Sequence, residues 1–155
     1  MAVSPIPANM RSVTSSLVLN DCAAAIDWYV KVFGAEEITP RMTGPDGKVG
    51  HAELRIGDTV FMMGDEWPGG PTPSPATLGG TAVALFIYSA DADQIWQRAM
   101  DNGAEELFPY ELQFYGDKGG RIRDPFGHQW GIGIHVEDVS DEEMAKRMAS
   151  FYDEQ

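Results

Sequence analysis

The stretch Val49-Gly50-His51-Ala52-Glu53-Leu54-Arg55-Ile56-Gly57-Asp58 reads as a β-strand that ends at a Gly-Asp turn. Side chains alternate between the two faces of a strand. Ala52, Leu54 and Ile56 therefore form a wholly apolar face, and His51, Glu53 and Arg55 form a wholly ionisable one. The apolar face packs on something greasy. The ionisable face either meets water or lines a polar cavity. One reading is a structural polar ladder, with Glu53 paired to Arg55 or to an arginine of a neighbouring strand. The other is chemical. Cβ atoms two residues apart on a strand lie roughly 6–7 Å apart, so His51 and Glu53 could touch one ligand. His51 would be a general base near neutral pH, and Glu53 would orient it or hold a cation.

Upstream, Gly44-Pro45-Asp46-Gly47 is a turn that follows a strand from Glu36 to Thr43. Before that strand, Asp21 is placed to cap a helix over residues 22–33, and Gly34 to end it. Ile26, Tyr29, Val30 and Phe33 give the helix an apolar stripe. Val13 to Leu19 reads as the first strand, and Thr59 to Met63 as the last. The order is β-α-β-β-β. Residues 65–80 are rich in Pro and Gly and are expected to hold no regular element.

The same order then starts again. Ala82 to Tyr88 is a strand, and Asp91 or Asp93 caps a helix carrying Ile95, Trp96, Ala99 and Met100, with Gly103 at its end. Glu105 to Tyr110, Gly119 to Asp124 and His128 to His135 are further strands, the last two joined by the turn Asp124-Pro125-Phe126-Gly127. Gly-Ala-Glu-Glu occurs at residues 34–37 and again at 103–106, at the same helix-to-strand junction, which points to internal duplication. Ser140-Asp141-Glu142-Glu143 is a capping box for a last helix, whose stripe of Met144, Met148, Phe151 and Tyr152 suits core or dimer packing. The expected fold class is α+β: two tandem βαβββ modules with curved mixed sheets, plus a C-terminal helix. Its parts are an arm (1–11), a first module (12–64), a linker loop (65–80), a second module (81–137) and the helix (138–155), forming one domain overall.

A length of 155 residues with 43% hydrophobic content supports a real core. The net charge of −13 argues against nucleic acid and against anionic membrane surfaces as partners. The single cysteine, Cys22, excludes an internal disulfide and fits a reducing cytoplasm. Set among alanines, it reads as a small packed thiol. No basic-then-apolar leader opens the chain, and no run approaches the ~20 apolar residues of a membrane span.

The run Asp21-Cys22-Ala23-Ala24-Ala25-Ile26-Asp27-Trp28-Tyr29, continued by Phe33-Gly34-Ala35-Glu36, resembles the opening of the vicinal oxygen chelate superfamily. That superfamily groups glyoxalase I, extradiol dioxygenases and bleomycin-resistance proteins. Gly47-Lys48-Val49-Gly50-His51-Ala52-Glu53-Leu54 and Arg123-Asp124-Pro125-Phe126-Gly127-His128-Gln129-Trp130 look like its PhnB-like branch. The resemblance spans about residues 12–140. It implies paired βαβββ modules, often dimeric, with ligands bound on the concave face of the sheets. It also implies four metal-ligand positions, which fall at Thr14, Met62, Ala84 and Gly131. Met is a soft ligand, and Ala and Gly offer no donor. Slipping the register by one residue recovers no four-ligand set. No cofactor is expected, a divalent metal is disfavoured, and glyoxalase I or dioxygenase chemistry loses its basis.

By alternation within such a fold, the candidate ligand-binding residues are Thr14, Ser16, Arg55, Met62, Phe86, Tyr88 and Gln129. Trp67 and Tyr115 join them from loops that could close over a pocket. Glycines at 131 and 133 would leave room there. This lining suits a small organic molecule with a flat or apolar body, antibiotic-like in character. The expected function is therefore metal-independent small-molecule binding by a cytoplasmic homodimer. The alternatives are a lyase, isomerase or dioxygenase-type enzyme of the same superfamily, using His51 and Glu53 as catalytic residues or a non-standard metal site, and an interaction module whose cavity is closed by side chains. Of the enzyme chemistries, metal-independent proton transfer is favoured.

Overall fold

Asp21 begins the first helix by accepting a hydrogen bond from the Ala24 amide at 3.1 Å, and Gly34 ends it in the left-handed region at φ 68°. The computed structural model containing this helix describes residues 3–154. It divides into two units, Met1–Thr81 and Ala82–Gln155.

In the first unit the described elements are β1 (Ser16–Leu19), α1 (Cys22–Phe33), β2 (Glu36–Glu37), β3 (Met42–Thr43), β4 (Val49–Ile56), β5 (Thr59–Asp65) and α2 (Pro75–Leu78). The sheet runs β1-β5-β4-β2, with β3 also paired to β4. β1 is parallel to β5, and the other pairings are antiparallel. The second unit repeats this plan with β6 (Ala84–Tyr88), α3 (Ala92–Asp101), β7 (Glu105–Leu112), β8 (Asp117–Arg123) and β9 (Gln129–His135), in the order β6-β9-β8-β7, then adds α4 (Asp141–Asp153). The fold is α+β with two mixed sheets and a C-terminal helix, as the periodicity predicts.

The repeated Gly-Ala-Glu-Glu has a matching role in each unit. Glu36 lies opposite Arg55 and Glu105 opposite Arg123, and each pair is joined by an ion pair. Each sheet packs one face on its helix. In the first unit Ala52, Leu54, Phe61 and Met63 are buried with Ile26, Tyr29 and Phe33; in the second, Ile122, Trp130 and Ile132 are buried with Ile95 and Ala99. Asp124 lies under this second core. It accepts hydrogen bonds from the amides of Phe126 and His128 and from Trp130 Nε1, at 2.9, 3.0 and 2.9 Å.

Several expectations need correction. The strand expected over Glu36 to Thr43 is two short pieces, β2 and β3, separated by a gap that contains Pro40, which has no N–H to give a ladder. Val30 is exposed and Val32 is buried instead. The buried arc of α1 centres on Tyr29, and a residue one position on is turned by about 100°. β1 starts at Ser16, because Thr14 is tied into a local turn: its hydroxyl accepts from the Arg11 amide and donates to the Arg11 carbonyl. The loop at 65–80 does contain a regular element, the one-turn helix α2. Ser74 caps it, and the Glu66 carboxylate anchors it by accepting from Ser74 Oγ at 2.7 Å and Thr77 Oγ1 at 2.6 Å. The stripe on α4 is not core, since no residue of that helix is buried; Phe151 leans on Phe114 with ring centroids 5.1 Å apart.

Candidate functional site

The face of each sheet turned away from its helix carries Ser16, His51, Glu53, Arg55 and Met62 in the first unit and Phe86, Tyr88 and Gln129 in the second. In the first unit Ser16 lies beside Met62, and Met62 beside Glu53, in one row across β1, β5 and β4. His51 Nε2 lies 3.2 Å from Glu53 Oε1, and Asn9 Nδ2 donates to the other oxygen of that carboxylate at 3.2 Å. Glu53 therefore pairs with His51 and not with Arg55, which is committed to Glu36. A carboxylate on Nε2 leaves Nδ1 as the imidazole's free nitrogen, the arrangement of an oriented base. Thr14 precedes β1, and its hydroxyl is occupied by Arg11.

Trp67 lies elsewhere in this unit. It lines a cleft of about 470 Å³ with Met42, Thr43, Lys48, Asp65 and Glu66, between the β3–β4 turn and the loop after β5. His51, Glu53 and Arg55 do not line it. Sequence reading did not find this cleft, because it depends on how two loops approach each other. Asp65 is structural there: its two oxygens accept from the Cys22 and Val49 amides at 2.8 and 2.7 Å, tying α1 to β4.

In the second unit Phe86 and Tyr88 form an aromatic shelf, with ring centroids 4.7 Å apart and planes tilted by 37°. Phe86 lies opposite Gly131 and Tyr88 opposite Gly133. A Cβ on Gly131 would fall 2.1 Å from Phe86 Cδ2, and one on Gly133 would fall 3.2 Å from its Cε1. The glycines expected to leave room for a ligand thus make room for the shelf itself. Phe86 is 46% exposed and Tyr88 62%. Alongside, the Arg121 guanidinium sits 5.6 Å from the centre of the Phe108 ring. Gln129 lies in the adjoining row, between Ala84 and Arg123.

Beside the shelf, on the same face of the sheet, is a polar chain that sequence reading missed. Tyr88 donates its hydroxyl proton to Asp117 Oδ2 at 2.7 Å. His135 Nδ1 lies 2.7 Å from Asp117 Oδ1, and its Nε2 lies 2.9 Å from Asp138 Oδ1. Hydrogen bonds to Asp138 and then to Asp117 hold the His135 pKa above its usual value. The bond to Asp117, then burial, push the Tyr88 phenol up to about 12. The negative charge of Asp117 adds to that rise, and Tyr115 lies in the turn before β8. Asp117 itself is buried. The structure thus places Thr14, Ser16, His51, Glu53, Arg55, Met62 and Trp67 in the first unit and Phe86, Tyr88, Tyr115 and Gln129 in the second. Among the described residues, no three His, Cys, Asp or Glu side chains are grouped to hold a metal ion, and no helix is long and apolar enough to cross a membrane.

The sequence model of the Glyoxalase/Bleomycin resistance protein/Dioxygenase superfamily matches residues 12–132. An uncharacterized protein of Mycobacterium bovis, Mb0911c, is 41% identical over 153 residues, covering 97% of this chain and 97% of its own. Among solved structures, TioX from Micromonospora sp. ML1 superposes with a TM-score of 0.62 at 24% identity, over 84% of this chain and all of that one. A PhnB protein from Bacillus cereus superposes with a TM-score of 0.59 at 19% identity, over 80% of this chain and 99% of that one. At these identities the two structures speak to the fold alone.

Proposed function

Since the chain belongs to the Glyoxalase/Bleomycin resistance protein/Dioxygenase superfamily, we propose that it binds a small, flat organic molecule of antibiotic-like character on the open face of its second sheet, without a metal. The observation that carries this reading is the Phe86–Tyr88 shelf, half exposed and seated on glycine backbone. Aromatic rings with two rotatable bonds offer a flat ligand large contact area at small entropic cost. The donors at the superfamily's metal positions do not fit a hard divalent ion. Met62 is soft, Ala84 and Gly131 have no donor, the space at Gly131 is taken by the Phe86 ring, and the Thr14 hydroxyl is used by Arg11. The same reading has the protein act in a reducing cytoplasm, supported by its single buried thiol, and as a homodimer, supported by the habit of the superfamily.

The test is a thermal-shift screen against planar aromatic compounds and divalent metals. Stabilisation by a planar compound, lost in Phe86→Ala, supports the reading. Stabilisation by a metal that survives Phe86→Ala overturns it.

A second reading has one observation in its favour, the 3.2 Å contact of His51 with Glu53. That pair would serve proton transfer in a lyase or isomerase, with His51 as base and Glu53 as its orienting partner. If His51→Ala leaves turnover of every candidate substrate unchanged, the enzyme reading has no residue to act through.

A further inference from the structure

Every tyrosine hydroxyl has one proton to give and two lone pairs to offer. At Tyr88 the proton is already given. It points at Asp117 Oδ2, 2.7 Å away on β8, across the intervening strand β9. Asp117 is itself held: its other oxygen takes a hydrogen bond from His135 Nδ1, while His135 Nε2 is held by Asp138. A carboxylate can only accept, so Asp117 takes the Tyr88 proton on one oxygen and faces His135 Nδ1 with the other. The proton on Tyr88 cannot swing outward without leaving a buried carboxylate short of a partner, which is costly.

We propose that Tyr88 is an obligate hydrogen-bond acceptor, fixed by Asp117 and His135, that selects for planar ligands carrying an O–H or N–H group at the shelf. The inference rests on the proposed shelf function and names its ligand class: aromatic compounds with a donor on the ring edge, such as phenols or aryl amides, over their O- or N-alkylated analogues. Asp117 and His135 are positioning residues; of the three, Tyr88 is the one that meets the ligand. The geometry also argues against Tyr88 as a proton-abstracting base, because a phenol bonded to a buried carboxylate resists ionisation.

The experiment uses 1-naphthol and 1-methoxynaphthalene, which present the same flat body with and without a donor, in equilibrium dialysis against the full chain. The wild type should bind 1-naphthol about tenfold more tightly, the ratio expected of one added hydrogen bond. Tyr88→Phe should keep the binding of 1-methoxynaphthalene and bring the ratio close to one. Asp117→Leu, which frees the hydroxyl to rotate, should also lower the ratio. Equal binding of both probes by the wild type, abolished in Phe86→Ala, would leave the shelf standing and overturn the acceptor. No binding of either probe would overturn the shelf and the acceptor with it. Should Asp117→Leu fail to fold, ultraviolet titration of wild type against Tyr88→Phe decides the matter. The phenol missing from the variant should ionise above the ordinary tyrosine range, and ionisation within that range overturns the lock.

Discussion

The Phe86 ring occupies the space where a side chain on Gly131 would begin, with Cδ2 2.1 Å from the position of the absent Cβ. One residue's ring is thus seated on another residue's missing atom, and the open face of the second sheet takes its shape from that pairing. Gly131→Ala should displace the ring and destabilise the protein by about 1–2 kcal/mol, in the lower range of overpacking costs. In a Phe86→Ala background the same change should cost less than half as much. Urea unfolding of the four proteins gives the coupling.

Asp124 carries more structural weight than its exposed turn suggests. It is buried and accepts from two backbone amides and from Trp130 Nε1. Asp124→Ala would leave these donors without their acceptor. The expected cost is at least about 3 kcal/mol, at the upper end for a lost charged acceptor, read as a fall in the urea midpoint with the native spectrum retained at zero denaturant.

Cys22 sits fully buried at the start of α1, and burial, then the Asp65 carboxylate, raise its thiol pKa to about 12. The thiolate is the reactive form. A disulfide-exchange reagent should therefore leave the native protein unmodified at neutral pH and titrate one thiol in urea. Rapid modification of the native protein would contradict the packing described for α1.

His135 supplies a pH dependence. Its folded pKa lies above the ordinary histidine value through Asp138 first and Asp117 second. The groups facing it are these two carboxylates and, through Asp117, the Tyr88 hydroxyl. A raised pKa means that the folded state holds its proton more tightly than the unfolded chain does. The stabilisation is then fully present below the unfolded pKa and is lost as pH rises through the folded one. The stability gap between wild type and His135→Gln should accordingly be larger near pH 6 than near pH 9, the two sides of the histidine range. A gap that grows with pH would reverse the assignment.

Much of this was legible in the chain because it depends on short-range order. Alternation at residues 49–58, the Asp21 cap, the Gly34 stop and the doubled Gly-Ala-Glu-Glu involve near neighbours, whose geometry follows from backbone periodicity. Those signals led to two βαβββ modules, and the duplicated Glu-to-Arg pairs bear out the repeat. The net charge of −13 likewise needs no coordinates. Tertiary structure decided which partner each polar residue took. Glu53 had Arg55 two positions away yet pairs with His51, because Arg55 faces Glu36 across the ladder. The Asp117 carboxylate meets Tyr88 and His135, 29 and 18 positions away in the chain, across strand pairings. Such contacts depend on strand register and on the volume of neighbouring side chains, and a one-residue slip would turn each of these groups to the other face of its sheet.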